Sequence, residues 1–340
     1  MTLVGGSPDA LIGAPLWEVD ALRGIFGPEA VFRETVAKGR FQFTDGVLRR
    51  RGRQPLEVEV AASAWRPVGN SEENQSMSDD TVHHFEGRDG VELAYREMGE
   101  GRPLVLIHGF FSTAMVNWVR YGHAARIAAR GYRVIMPDLR GHGDSAKPHD
   151  AAAYPPDVLA DDGLALIERL GLADYDLGGY SLGARTTIRM LVRGATPQRA
   201  IVAGMGLEGI VDTAGRSAHF RRILTHLGTF ERNSAEWMAE AFLKTVGGDP
   251  VALLHVLDTS VDTPREALAR ISTPTLVLAG AEDDDNGSAA ALAAALADGR
   301  YAAVPGNHMS AVAKPELGAA IADFLGDGKM QFVIETKAGC

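Results

Sequence analysis

The 340-residue sequence holds a single cysteine, Cys340. One thiol excludes an intrachain disulfide and fits a reducing compartment, and with no three residues after it the cysteine is not a prenylation signal. Apolar runs long enough to span a bilayer are missing. So is the basic stretch followed by an apolar core that marks a secretory leader, because Gly5, Gly6, Pro8 and Asp9 interrupt the amino-terminal segment. The expected location is therefore cytoplasmic, with no membrane partner. An excess of positive charge is lacking as well: the formal net charge is -10, which argues against a nucleic-acid partner. The one dense basic run, Arg49-Arg50-Arg51-Gly52-Arg53, has acidic residues around it in sequence and reads as a solvated turn or helix end. No cluster of metal-ligand spacing accompanies the histidines, so neither a metal nor a cofactor is implied.

What the chain does have is apolar content enough for a sizeable core, unevenly spread. Residues 67–80, with Gly69-Asn70-Ser71-Glu72-Glu73-Asn74-Gln75-Ser76, read as a linker. Before it lie a helix-like stretch at 19–37 and two strand-like runs, 41–44 and 56–60, without a catalytic motif. Residues 1–76 are thus expected to be an appended segment, Met77 resembling the start of an independent protein. From 77 on, short apolar runs alternate with amphipathic stretches, the pattern of an α/β fold with a largely parallel sheet. The expected strands are 91–95, 103–107, 132–136, 175–178, 200–203, 275–279 and 301–304. The stretch between the fifth and sixth of these expected strands is far longer than an ordinary α/β connection. Its Phe220, Ile223, Leu224 and Leu227, and its Trp237, Met238, Ala241 and Phe242, follow helical spacing, so a helical subdomain is expected over 205–263. The core is assigned to 77–204 and 264–326, and the tail to 327–340.

The chemistry-bearing motif is Gly179-Tyr180-Ser181-Leu182-Gly183, between an expected strand and an expected helix. A serine forced into a sharp strand-to-helix turn brings backbone close on both sides, and glycines at 179 and 183 leave room for it. At a helix N-terminus, backbone N–H groups favour negative charge developing on a substrate. Ile107-His108-Gly109-Phe110-Phe111 ends another strand at the same sheet edge, which makes the N–H groups of Phe110 and Leu182 the natural pair of oxyanion donors. His108 is read as holding that loop by hydrogen bonds rather than as a base.

A serine hydroxyl needs a base, and the base needs a third group to fix its tautomer. Downstream stand Gly280-Ala281-Glu282-Asp283-Asp284-Asp285 and Gly306-Asn307-His308, each after a strand. Asp283 is the chosen acid and His308 the chosen base; Glu282, Asp284, Asp285 and, more distantly, Glu208 compete for the acid's place. Phe110, Phe111, Met115, Trp118, Phe220 and Trp237 are candidates for an apolar substrate pocket, and equally for core. Asp176, inside the strand before Ser181, calls for a buried partner or an exposed edge.

With these motifs in place, residues from about 82 to 325 resemble the α/β-hydrolase superfamily. The resemblance rests on His108-Gly109-Phe110, the turn Asp138-Leu139-Arg140-Gly141-His142-Gly143-Asp144-Ser145, the serine turn, and the pair Gly280-x-x-Asp283 and Gly306-Asn307-His308. It implies an eight-stranded, mostly parallel sheet with a helical cap inserted after the sixth strand. Within the superfamily the chain looks most like small esterases, enol-lactonases and carbon–carbon bond hydrolases. Serine at 181 argues against the dehalogenases and epoxide hydrolases of this fold, whose nucleophile is aspartate. The expected activity is hydrolysis of a carboxylic ester or lactone of a small, largely apolar molecule. Carbon–carbon hydrolysis, a cofactor-free perhydrolase, and a ligand receptor on the same scaffold are the alternatives.

Overall fold

The computed structural model describes residues 81–326 and two short segments, Val47–Leu48 and Leu56–Glu57. The chain divides into two compact units, Met1–Gln75 and Ser76–Cys340. In the first, Val47–Leu48 pairs antiparallel with Leu56–Glu57, where the second expected run of this segment begins. The helix-like stretch at 19–37 and the run at 41–44 lie outside the described residues.

The second unit carries one eight-stranded sheet, built from β1 (His83–Glu86), β2 (Glu92–Met98), β3 (Arg102–Ile107), β4 (Tyr132–Pro137), β5 (Asp176–Tyr180), β6 (Ala200–Ala203), β7 (Thr275–Gly280) and β8 (Gly299–Val304). Their spatial order is β8-β7-β6-β5-β3-β4-β2-β1. All neighbours are parallel except at the β1–β2–β4 end, where the pairings are antiparallel. The central strands are buried on both faces, which is why they read as unbroken apolar runs. β1 has no such run in the sequence. It is an edge strand whose single buried residue is Phe85, and its remaining side chains face water.

Helices α1 (His123–Ala128), α2 (Val158–Arg169) and α3 (Leu182–Val192) follow β3, β4 and β5. Between β6 and β7 the chain forms α4 (Glu208–Val211), α5 (Ala214–Thr225), α6 (Ala235–Val246), α7 (Pro250–Asp258) and α8 (Arg265–Leu268). After these come α9 (Ala289–Ala295), α10 (His308–Ala311) and α11 (Pro315–Leu325). The helical insertion packs Ile223, Leu224, Leu243, Leu253 and Leu257 against Phe111 of the loop after β3, whereas Leu268 of α8 packs with Ala184 and Ile188 of α3 under the sheet.

Asp176 has a buried partner. Its fully enclosed carboxylate accepts from Arg102 Nε at 2.7 Å, and the same guanidinium reaches Asp174 at 2.8 Å. The ion pair joins β3 to β5 at the strand ends remote from Ser181. The turn after β4 is held as firmly. The Asp138 carboxylate accepts from the amides of Ala114 and Asp144, while the enclosed Arg140 donates to both Asp89 and Asp162.

Candidate active site

Four loops at the carboxyl ends of β3, β5, β7 and β8 converge, as open parallel sheets favour. At the end of β5 the chain turns into α3 through Ser181, whose φ of 54° and ψ of -113° lie outside the regions an L-residue prefers. The strained turn is pinned: Ser181 N–H donates to Ala203 O of β6 at 2.8 Å, and its carbonyl accepts from Arg185 N–H at 3.0 Å. A Cβ at Gly179 would collide with the backbone of Gly183, and one at Gly183 with the carbonyl of Ile107. Both glycines are therefore demanded by the close approach of α3 to β3 and β5.

Ser181 Oγ lies 3.0 Å from His308 Nε2, and His308 Nδ1 lies 3.0 Å from Asp283 Oδ2. An ionised carboxylate only accepts, so Nδ1 carries the ring proton and Nε2 is free to accept from the serine hydroxyl. The Asp283 side chain is 3% exposed, and its second oxygen accepts from Asp285 N–H at 3.3 Å. Its rivals are engaged elsewhere or face water. Glu208 accepts from Ser288 N–H at 2.8 Å, Asp285 pairs with Arg216 at 2.8 Å, and Glu282 and Asp284 are exposed. His308 opens α10, where Asn307 and Ser310 cap each other reciprocally, and its carbonyl accepts from the hydroxyl of buried Tyr180.

The His108-Gly109-Phe110 loop lies against this turn: a Cβ on Gly109 would stand 3.3 Å from Ser181 Cβ. Gly109 N–H is held by Asn117 Oδ1 at 3.0 Å. His108 is wholly buried, accepts from Leu139 N–H at Nε2 (2.9 Å) and donates from Nδ1 to Gly109 O (2.8 Å). Both ring nitrogens thus serve the backbone. Burial pushes its pKa down, against a smaller opposing pull from Asp138, so the ring is neutral. Phe110 and Leu182 both line the cleft at Ser181, and the Leu182 amide is the first of α3, where no N–H has an intrahelical acceptor.

The cleft encloses about 350 Å³, part of it open to solvent, and its walls include Phe110, Leu182, Arg185, Phe220, Val256 and Leu257 beside Ser181. Phe220 of the insertion meets Phe110 edge-on at 4.9 Å. Of the other aromatic candidates, Phe111 is 3% exposed and packs behind the wall with Ile223 and Leu224. Trp118 belongs to the core: it is fully buried with Leu104, Met136 and Tyr180. Met115 and Trp237 are half-buried and not on this wall; α6 turns Ala239, Phe242 and Leu243 inward, a stripe that Trp237 does not share. Sequence reasoning passed over Arg185, although four residues after Ser181 is one helical turn onward on the same face. Among the described residues no three His, Cys, Asp or Glu side chains gather as metal ligands would, and no helix is long and apolar enough to cross a membrane.

A family model described as the alpha/beta hydrolase family matches residues 104–321. The chain is similar to the dihydrolipoyllysine-residue acetyltransferase component of the acetoin cleaving system of Pseudomonas putida, 32% identical over 208 residues, or 51% of this chain and 54% of that protein. It is also similar to the AB hydrolase superfamily protein YisY of Bacillus subtilis, 27% identical over 224 residues, covering 59% of this chain and 81% of that one. The chain therefore spans about half the length of the first of these relatives and about four fifths of the second. Among solved structures, a thermophilic esterase from Thermogutta terrifontis shares the fold with a TM-score of 0.59 at 23% identity, over 72% of this chain and 98% of that one.

Proposed function

Since the chain belongs to the alpha/beta hydrolase family, we propose that it hydrolyses the carboxylic ester or lactone of a small, largely apolar molecule through an acyl-enzyme on Ser181. The observation that carries this reading is the unbroken relay Ser181–His308–Asp283, with both links at 3.0 Å. His308 Nε2 takes the hydroxyl proton as Ser181 Oγ bonds to the carbonyl carbon, and Asp283 stabilises the imidazolium that results. Negative charge on the carbonyl oxygen falls to the amides of Phe110 and Leu182; losing one such donor typically costs about 10²- to 10³-fold in turnover. His308 returns the proton to the departing alcohol oxygen, then removes one from a water that attacks the acyl carbon, and the acid leaves as Ser181 regains its hydrogen. Every step uses only residues of this chain and water. The Phe110, Phe220, Val256 and Leu257 walls suit an apolar body on the substrate.

The test is fluorophosphonate labelling alongside hydrolysis of p-nitrophenyl esters. The wild-type chain should take the label and turn over ester, and Ser181→Ala should do neither while retaining its thermal unfolding transition. Labelling that persists in the variant would overturn the assignment.

A further inference from the structure

We propose that Arg185 is a carboxylate-binding residue of the cleft, so that the ester or lactone opened at Ser181 carries a negatively charged carboxylate a few atoms from the scissile carbonyl. The inference rests on the hydrolytic reading above and narrows it: an otherwise apolar substrate bears one anionic end.

Arginines drawn wholly or partly out of water elsewhere in this fold are paired. Arg140 meets Asp89 and Asp162, Arg189 meets Asp157, Arg102 meets Asp174 and Asp176, and Arg133 meets Glu97. Arg140 is wholly enclosed and the other three are partly so, and each has a carboxylate; taking a guanidinium out of water is costly unless an opposite charge compensates. Arg185 has none. It is 9% exposed, and among the described residues its one side-chain hydrogen bond runs from Nε to the carbonyl of Gly209 at 3.0 Å. That bond ties α3 to α4 and fixes the plane of the guanidinium, while both terminal amino groups lack an acceptor among the described residues. Neither of them is sealed away from the surface, and the side chain lines the cleft that holds Ser181.

The remaining charges sharpen the case. Arg216, on α5, also faces the cleft, but its charge is balanced by Asp285 at 2.8 Å and its guanidinium lies over the Phe220 ring at 4.8 Å. The uncompensated cation is therefore Arg185. Burial, with Arg216 adding to it and Asp262 opposing, pushes its pKa down to about 10, which leaves it charged at neutral pH and short of an anion. With Nε spent on Gly209, the Nη1–Nη2 end keeps two parallel donors, the fork that matches a carboxylate. Arg185 stands one helical turn, about 5.4 Å along α3, beyond Ser181. An anion it binds is thus a substituent of the substrate, set apart from the oxygen of the reacting carbonyl.

The experiment compares kcat/KM for p-nitrophenyl butyrate with that for the mono-p-nitrophenyl esters of succinate and glutarate, and for phenyl acetate with 3-carboxyphenyl acetate, covering both sides of the scissile bond. Wild-type enzyme should prefer one carboxylate series by roughly 10- to 100-fold, the range of a charge-assisted bidentate contact. Arg185→Met should abolish the preference mainly through KM, and Arg185→Lys should restore part of it. An arginine that only braces Gly209 would lower charged and neutral esters together. No preference in the wild type, or an equal loss on both ester classes, overturns the proposal, while fluorophosphonate labelling reports independently that the serine remains activated.

Should Arg185→Met fail to fold, glutarate must still protect wild-type Ser181 from the label, and absence of protection overturns the proposal as well. If the wild type takes no label at all, the hydrolytic reading has failed. Calorimetric binding of glutarate to Ser181→Ala, set against the Ser181→Ala/Arg185→Met double variant, then decides the anion site alone.

Discussion

The hydroxyl of Tyr180 donates to the carbonyl of His308 at 2.5 Å, so the residue immediately before the serine holds the backbone of the histidine bonded to that serine. Tyr180→Phe leaves a buried carbonyl without its donor. The expected loss of stability is about 1–3 kcal/mol, read from urea unfolding. Because the imidazole hangs from that backbone, kcat on a p-nitrophenyl ester should fall several-fold with KM little changed. Unaltered kcat in a destabilised protein would show that the hydrogen bond serves the fold alone.

Asp283→Asn preserves shape but offers His308 Nδ1 an amide that can donate, which favours the wrong tautomer. A drop of about 10⁴ in kcat is expected by analogy with the serine-protease triad, against little change in Asp284→Asn or Glu282→Gln, whose carboxylates face water. Steady-state kinetics of the three variants checks it; comparable losses at 283 and 284 would mean that the acid loop rearranges in solution.

Arg102→Met leaves the fully enclosed Asp176 carboxylate without its cation. Breaking a buried pair on one side costs about 3–5 kcal/mol, and roughly 2–4 is expected here because Arg102 itself is partly exposed. A denaturant midpoint measures it, and adding Asp176→Leu should return much of the loss. The pair lies at the strand ends away from Ser181, so fluorophosphonate labelling at low temperature should persist.

Stability should fall on the acid side of neutrality. His108, His123 and His142 all have pKa values held below the ordinary 6.5, in each case chiefly by burial. A depressed folded-state pKa means that the unfolded chain binds protons the folded chain refuses. Their contribution is complete above pH 6.5 and lost as pH drops below it, at up to about 1.4 kcal/mol per pH unit for each group. Asp162, pushed up to about 6 by burial from an ordinary 3.8, works the other way, but only as pH falls below about 6. With His219 depressed in the same way, four histidines against one carboxylate predict a lower urea midpoint at pH 5.5 than at 7.5; a level profile would contradict the burial of neutral rings.

Residues whose burial shows as composition were legible in the sequence. β3, β6 and β7 are apolar runs because both their faces are covered, and Ser181 announced itself through glycines that steric crowding requires. His83–Glu86 escaped because an edge strand with one buried side chain has no apolar signature. Trp118 and Phe220 look alike as letters, and only the packing separates a core ring from a cleft wall. Among Glu282, Asp283, Asp284 and Asp285, the partner of His308 is chosen by the direction in which the loop after β7 aims each carboxylate, information that no count of residues holds. Arg185 was missed for a related reason: a charged residue in a helix ordinarily faces water, and here the insertion closes over it.

The insertion leaves the sheet after β6 and returns at β7, two strands bonded to each other from Ala200↔Thr275 to Ala203↔Leu278. Its endpoints are thus fixed side by side whatever length of chain joins them, and Ser181, Asp283 and His308 stand on loops that do not depend on that length. Phe220, Val256 and Leu257 belong to the detachable part, and the proposed reacting groups to the permanent one. Such a molecule can inherit its appetite and its chemistry separately, exchanging the first wholesale while the second stays in place.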